Sequence, residues 1–330
     1  SVAAFMCSEM AVDVLFGYTI ATLVVAITFI LWYLIVAAGL FSCLNKSPTF
    51  MLLFSQALND IYALSQSAWQ PTIRLAGVPK ETFLPDRWLS VIHGTFELIS
   101  LPHYIVIALN RALFLIDHTK MNVVFSTRNT VVICLLMWIV PISANVVLHL
   151  FAEDTDEGFY LFSTTHLEMG GKSLGLSLES YLSFVFDISF YITVIIVVVT
   201  YAVAILWHSY KKRALLSSTG AGSSPMNSQV EMRLTIVCLV NLVPPTIVTI
   251  IEYTWTDRDC VGGFIFALLT IFDNSINSIV LPLFSQLLRD CLKRRIFGSL
   301  AVLRGTKTQK IDSRLFDARR RSTMSTITPP

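Results

Sequence analysis

The chain is short of charge. Asp, Glu, Lys and Arg make up 14% of its 330 residues, where soluble domains carry about 25%, while hydrophobic residues reach 54%. A water-soluble globular domain is excluded by that balance, and an integral membrane protein is expected. Cysteines are few. Of the six, Cys134 and Cys238 fall inside apolar runs, and Cys43 and Cys291 fall on the basic, inner side. Only Cys7 and Cys260 remain for the outside, so they are the one candidate disulfide there. No nucleophile with an oriented base, no metal-ligand spacing and no phosphate loop is present, so the chain is not expected to be an enzyme. Internal repeats of the kind that build many transporters are missing too.

What is present is a series of long apolar runs. Seven lie near residues 14–42, 50–73, 88–116, 130–151, 180–208, 233–255 and 262–286, each long enough to cross about 30 Å of hydrocarbon. They predict an all-α membrane protein, a seven-transmembrane helix bundle over residues 1–298. Its last part, 287–298, sets Leu287, Leu288, Leu292 and Phe297 against Arg289, Lys293, Arg294 and Arg295 and reads as a short amphipathic eighth helix on the membrane surface. Residues 299–330 form a polar, basic tail expected to be disordered.

Orientation follows from the basic residues. With the amino end outside, Arg74, Lys80, Arg87, Lys172 and Arg258 are the only Lys or Arg on the outer side, and the other nineteen of 24 lie inside. The positive-inside bias therefore puts the carboxyl end in the cytoplasm of a multi-pass cell-membrane protein. The basic stretch is expected to meet membrane lipid rather than nucleic acid.

Polar residues inside the spans carry the functional reading. His93, Glu97, Ser100, Tyr104 and Arg111 recur at steps of four, three, four and seven, on one face of the third helix. An ionisable group at the bilayer centre costs roughly 2.5–3.5 kcal/mol on insertion scales, so this face must line the bundle interior. Asp60 lies ten residues, about 15 Å, into the second span. Ser100, Asp273, Asn274 and Asn277 reach the same depth. The sixth span holds Pro244-Pro245 and is expected to bend there.

In order and depth these residues resemble the rhodopsin-like G-protein-coupled receptors over roughly residues 14–298. Asn277-Ser278-Ile279-Val280-Leu281, with Leu288-Arg289 following, is similar to the family's Asn-Pro-x-x-Tyr motif and surface helix. Asp60, Ser100, Trp138 and Tyr201 match residues of the second to fifth spans, and Asn110-Arg111-Ala112 stands where the family has Asp-Arg-Tyr. Departures are marked: Ser278 and Leu281 replace Pro and Tyr, Asn110 replaces the acid, and the third span lacks its outer Cys. With Phe54-Ser55-Gln56-Ala57 in the second span, the erosion resembles the nematode serpentine chemoreceptors of class x.

The resemblance implies three sites. Asp60, Ser100, Asp273, Asn274 and Asn277 would form a sodium pocket, against a plainer reading as a hydrogen-bonded knot that holds helices together. His93, Glu97, Asp187, Tyr191, Glu252 and Trp255 would line a pocket for a small polar or cationic ligand, against an interhelical ion pair such as His93 with Glu252. Arg111, Tyr201, Lys211, Lys212, Arg213, Pro244 and Pro245 would couple and switch a heterotrimeric G protein. In the tail, Ser322 and Thr323 are candidate kinase sites, and arrestin is a further candidate partner. No Lys lies between Val261 and Leu288, which excludes a retinal Schiff base in the seventh span. An ion channel or transporter using the buried carboxylates, and a scaffold that signals nothing, remain the rival readings.

Overall fold

In hydrocarbon a backbone amide finds no water, so an apolar run that enters it must satisfy its own amides as helix. The computed structural model describes residues 12–76, 95–151, 160–162, 169–171, 176–218, 240–255 and 260–303, and nearly all of these are helical. The order is α1 (Val12–Ser42), α2 (Pro48–Leu75), α3 (Thr95–Ile116), α4 (His118–Val124) and α5 (Thr127–Phe151). It continues with α6 (Leu176–Ser218), α7 (Val243–Thr254), α8 (Cys260–Phe284) and α9 (Gln286–Leu303). Between α5 and α6 two short strands, β1 (Tyr160–Phe162) and β2 (Met169–Gly171), pair antiparallel with Leu161 opposite Gly170.

Five helices among the described residues, α1, α3, α5, α6 and α8, contain stretches long and apolar enough to cross a membrane. At 28 residues α2 is also long enough, but it carries Gln56, Asn59, Asp60 and Gln66. The sixth expected span is described only from residue 240. At 43 residues α6 runs well beyond the expected 180–208, continuing past Lys211, and α9 extends to Leu303 rather than 298. The short α4 was not expected. Its start is set by Asp117, whose carboxylate accepts from the amides of Thr119 and Lys120 at 3.0 and 3.2 Å and satisfies two orphan donors of the first turn.

Helix α3 packs against α2, α5 and α6. Helix α1 lies on α2, α8 and α9. Leu40, Leu52, Ala57, Ile107, Tyr201 and Ile271 belong to the buried core, while Leu135, Leu136, Ile139 and Val140 of α5 are exposed as a lipid-facing side requires. Hydroxyls that would be costly in such a setting bond to their own helix. Thr19, Thr22 and Thr28 of α1 donate to carbonyls four residues back at 2.8, 2.9 and 2.7 Å.

Two local devices position the end of α8 where it meets α9. Pro282 has no amide hydrogen for the Ser278 carbonyl one turn before it, and Trp32 Nε1 of α1 donates to that carbonyl instead at 3.1 Å. Arg289 of α9 then donates to the carbonyls of Pro282, at 3.2 Å, and Leu283, capping the end of α8. The buried face of α9, Leu288, Cys291 and Leu292, lies against α1 at Gly39. A Cβ at Gly39 would stand 2.6 Å from Leu292 Cδ2, so a larger residue there would require the Leu292 side chain to shift.

Candidate functional site

Asp60 is buried, and its two oxygens face three donors. Gln56 Nε2 donates to Oδ1 at 2.6 Å, Asn277 Nδ2 to Oδ2 at 2.9 Å, and the Tyr33 hydroxyl to Oδ2. An ionised carboxylate only accepts, so it orients both amides with nitrogen inward. The oxygen of Asn277 is thereby left to accept from Asn241 Nδ2, as observed. One chain of bonds thus joins α1, α2 and α8 to the segment that precedes α7.

Of the residues expected to hold sodium, Asp60 and Asn277 meet directly. Ser100 is one residue removed: it accepts from Asn59 Nδ2 at 2.7 Å, and Asn59 also donates to the Phe96 carbonyl at 3.1 Å. Asn274 turns its amide to the Thr270 carbonyl of its own helix at 2.9 Å. Asp273 is half-buried and is not a hydrogen-bond partner of Asp60. The three hydrogen bonds to Asp60 come from donors, while the buried oxygens Gln56 Oε1, Asn59 Oδ1 and Asn241 Oδ1 of the same network have no hydrogen-bond partner among the described residues.

Below the knot, Val240 is helical, Asn241 and Leu242 form a turn, and α7 restarts with Pro244 and Pro245 in its first turn. Proline is well placed there, because a first-turn amide has no helical partner to lose. The expected bend is thus a break just ahead of the prolines, with Asn241 in it. A small, partly open cavity is lined by Tyr33, Gln56, Tyr104, Tyr201, Asn241 and Asn277, among others. Leu281 also lines it.

Toward the end of α3, Thr49 Oγ1 donates to Asn110 Oδ1 at 2.8 Å, tying α2 to α3 beside Arg111, which is itself only 3% exposed. Arg111 is therefore no snorkelling anchor. Lys211 is exposed, and the side chains of Lys212 and Arg213 lie outside the described residues. A second polar relay crosses the bundle at His103, which is fully buried. Its Nδ1 lies 2.7 Å from the Ile99 carbonyl, which can only accept, so Nδ1 carries the hydrogen and Nε2 accepts from Ser55 Oγ at 2.8 Å. Ser55 in turn accepts from Trp138 Nε1 at 3.0 Å.

The expected ligand pocket is mostly beyond view. His93 and the side chains of Glu97, Asp187 and Glu252 lie outside the described residues. Tyr191 is 46% exposed and edge-on to Phe190, outside the buried face formed by Phe190, Thr193, Val197 and Tyr201. Trp255 is exposed just past the end of α7. Cys7, the side chain of Cys260, Ser322 and Thr323 also fall outside the described residues. The disulfide that is described joins Cys43 to Cys291.

Compared with known families, residues 16–295 match the serpentine type 7TM GPCR chemoreceptor Srv. The chain belongs to this family. No curated protein matches it. The chain is thus a multi-pass membrane receptor of the serpentine chemoreceptor kind, a receptor family rather than an enzyme family, and its class is Srv where the sequence pattern pointed to class x. In this Srv chemoreceptor the departures from the rhodopsin-like motifs have local partners: Asn110 is held by Thr49, and Pro282 stands four residues after Ser278, where the related motif has its own proline.

Four residues of the Srv chemoreceptor's polar core escaped the sequence reading. Gln56 is one turn from Asp60 and shares its face, which was a usable signal. Asn241 stands four residues before Pro245, where its own carbonyl loses a helical donor. Nothing in the apolar run around Tyr33 marks it as a partner of Asp60. His103 was passed over because it lies off the stripe drawn through Ser100 and Tyr104.

Proposed function

We propose that this Srv chemoreceptor binds a small polar or cationic molecule between the outer ends of its spans and activates a heterotrimeric G protein at their inner ends. The observation that carries the reading is the buried chain Asp60–Asn277–Asn241, which ends in the helix break before Pro244 and Pro245. Such a chain gives the sixth and seventh spans a joint set of contacts that a ligand can favour or disfavour, which a two-state switch requires. His93, Glu97, Asp187 and Glu252 are the groups we assign to the ligand, and the buried Arg111 with Tyr201 to the inner switch. The excess of Lys and Arg on one side supports an outer amino end and a cytoplasmic carboxyl end.

Screening chemically diverse small molecules on cells that express the receptor, with a G-protein activation readout, tests this. The expected result is at least one agonist whose response is lost in Arg111→Ala at equal surface expression. Ligand-evoked current without G protein would support the channel reading. Agonist binding with nucleotide exchange unchanged by Arg111→Ala would remove Arg111 from the switch.

A further inference from the structure

Cys43 and Cys291 are the one disulfide among the described residues, with Cα atoms 6.8 Å apart and 248 residues of chain between them. Neither belongs to the polar core or to the switch. Cys43 sits where α1 ends and Cys291 on the face of α9 that packs against α1. Both are at least nine-tenths buried, with Leu288 and Leu292 of the same face seated on Gly39. In the closed bond the two Cα atoms stand at the upper end of the range a disulfide spans, and the packing of α9 on α1 keeps the pair together. Lys46 is the second observation. Its side chain is exposed, yet its Nζ lies 3.4 Å from the buried Cys291 Sγ, so a positive charge stands beside this sulfur.

On the orientation proposed above, both sulfurs face the cytoplasm, where thiol reductants keep most disulfides open. A pair held ready to close in that compartment is a sensor of oxidation rather than a permanent staple. We propose that Cys43 and Cys291 form a reversible redox site whose oxidant is hydrogen peroxide. The Lys46 ammonium favours the anionic sulfur of Cys291, the form that attacks. That sulfur displaces one oxygen of the peroxide as hydroxide, which becomes water on taking a proton, and is left as a sulfenic acid. The thiol of Cys43 then attacks the sulfenic sulfur, the S–S bond forms, and the sulfenic oxygen leaves as a second water with the Cys43 proton. Two thiols and one peroxide give one disulfide and two waters, and the sulfurs lose the two electrons that break the O–O bond. A dithiol reductant reverses the step by exchange.

Closing the bond fastens α9 to the end of α1. Arg289 of α9 caps the last carbonyls of α8, and α8 carries Asn277, so oxidation restrains the seventh span from below. Oxidised receptor is expected to signal less.

Differential alkylation of the full-length receptor in intact cells, read by mass spectrometry with hydrogen peroxide as the probe, tests the site. Untreated cells should yield both cysteines as thiols, brief peroxide should convert the pair to disulfide, and dithiothreitol should restore it, with Cys134 unchanged as internal reference. Lys46→Met leaves both cysteines in place and should slow closure roughly tenfold. Closure at the wild-type rate in Lys46→Met, a bond already closed in untreated cells, or thiols that stay open under peroxide would each overturn the proposal. An impermeant alkylating reagent separates the orientation from the chemistry: labelling of Cys291 only after permeabilisation supports the cytoplasmic placement, and labelling of intact cells refutes that placement alone.

Discussion

Asn277 on α8 donates to Asp60 on α2 at 2.9 Å, closing a contact across 217 residues of chain. The same amide accepts from Asn241 through its oxygen, so one side chain joins the carboxylate of the second span to the break in the sixth.

Replacing Asn277 by Leu removes both bonds and leaves Asp60 with two of its three donors. At about 0.6–2 kcal/mol per interhelical bond, a loss of roughly 1–3 kcal/mol is expected, a fall of several degrees in the thermal midpoint of the detergent-solubilised receptor. The exchange of Asp60→Asn with Asn277→Asp keeps one donor facing one acceptor and should recover part of that loss. An unchanged midpoint in Asn277→Leu would mean that the contact does not help hold the helices.

Trp32 and Pro282 act on a shared atom, the Ser278 carbonyl. Trp32→Phe should cost about 1–2 kcal/mol in the wild-type background, because it strands a buried acceptor. In Pro282→Ala, which restores a helical amide to that carbonyl, the same change should cost less. A double-mutant thermal cycle measures the difference, and additive effects would contradict the shared carbonyl.

The His103 relay gives a third test. Ser55→Ala leaves Trp138 Nε1 and His103 Nε2 without their described partner and should destabilise by roughly 1–3 kcal/mol. Ser55→Thr keeps the hydroxyl and should be milder. Comparable losses in both variants would show that packing around Ser55, and not its hydroxyl, is what matters.

The sequence was most informative where a single cost decides the outcome. Burying an unpartnered carboxylate is expensive enough that Asp60 had to face the interior, and the length of an apolar run translates directly into a span. Pairing is another matter. Asp60 and Asn277 could be placed at one depth by counting along helices, but Tyr33 and Asn241 could not be matched to them, because helix rotation and approach are set by packing that no single run encodes. Counting along helices also could not tell that Asn277 turns its nitrogen to the carboxylate while Asn274 turns back to its own helix. The same limit hid the approach of Cys43 to Cys291, since Gly39 matters only once α9 is known to lie on it. Helix α4 was readable in principle from its Asp117 cap, but seven residues are too few for a periodic signal.

At the inner end, Asn110 stands where the related receptors carry an acid, and a neutral bond from Thr49 holds it. A restraint without charge should leave the resting state loosely held. Thr49→Val should raise ligand-free nucleotide exchange and Asn110→Asp should lower it. Movement in the same direction for both would contradict this assignment.

The most direct measurement is ligand-free nucleotide exchange on heterotrimeric G proteins of each major class, with purified receptor in lipid vesicles and Arg111→Ala beside it. We expect exchange above that of empty vesicles with at least one class, lost in the variant. Exchange no faster than with empty vesicles for every class, or equal rates with and without Arg111, would contradict coupling through this end of the bundle.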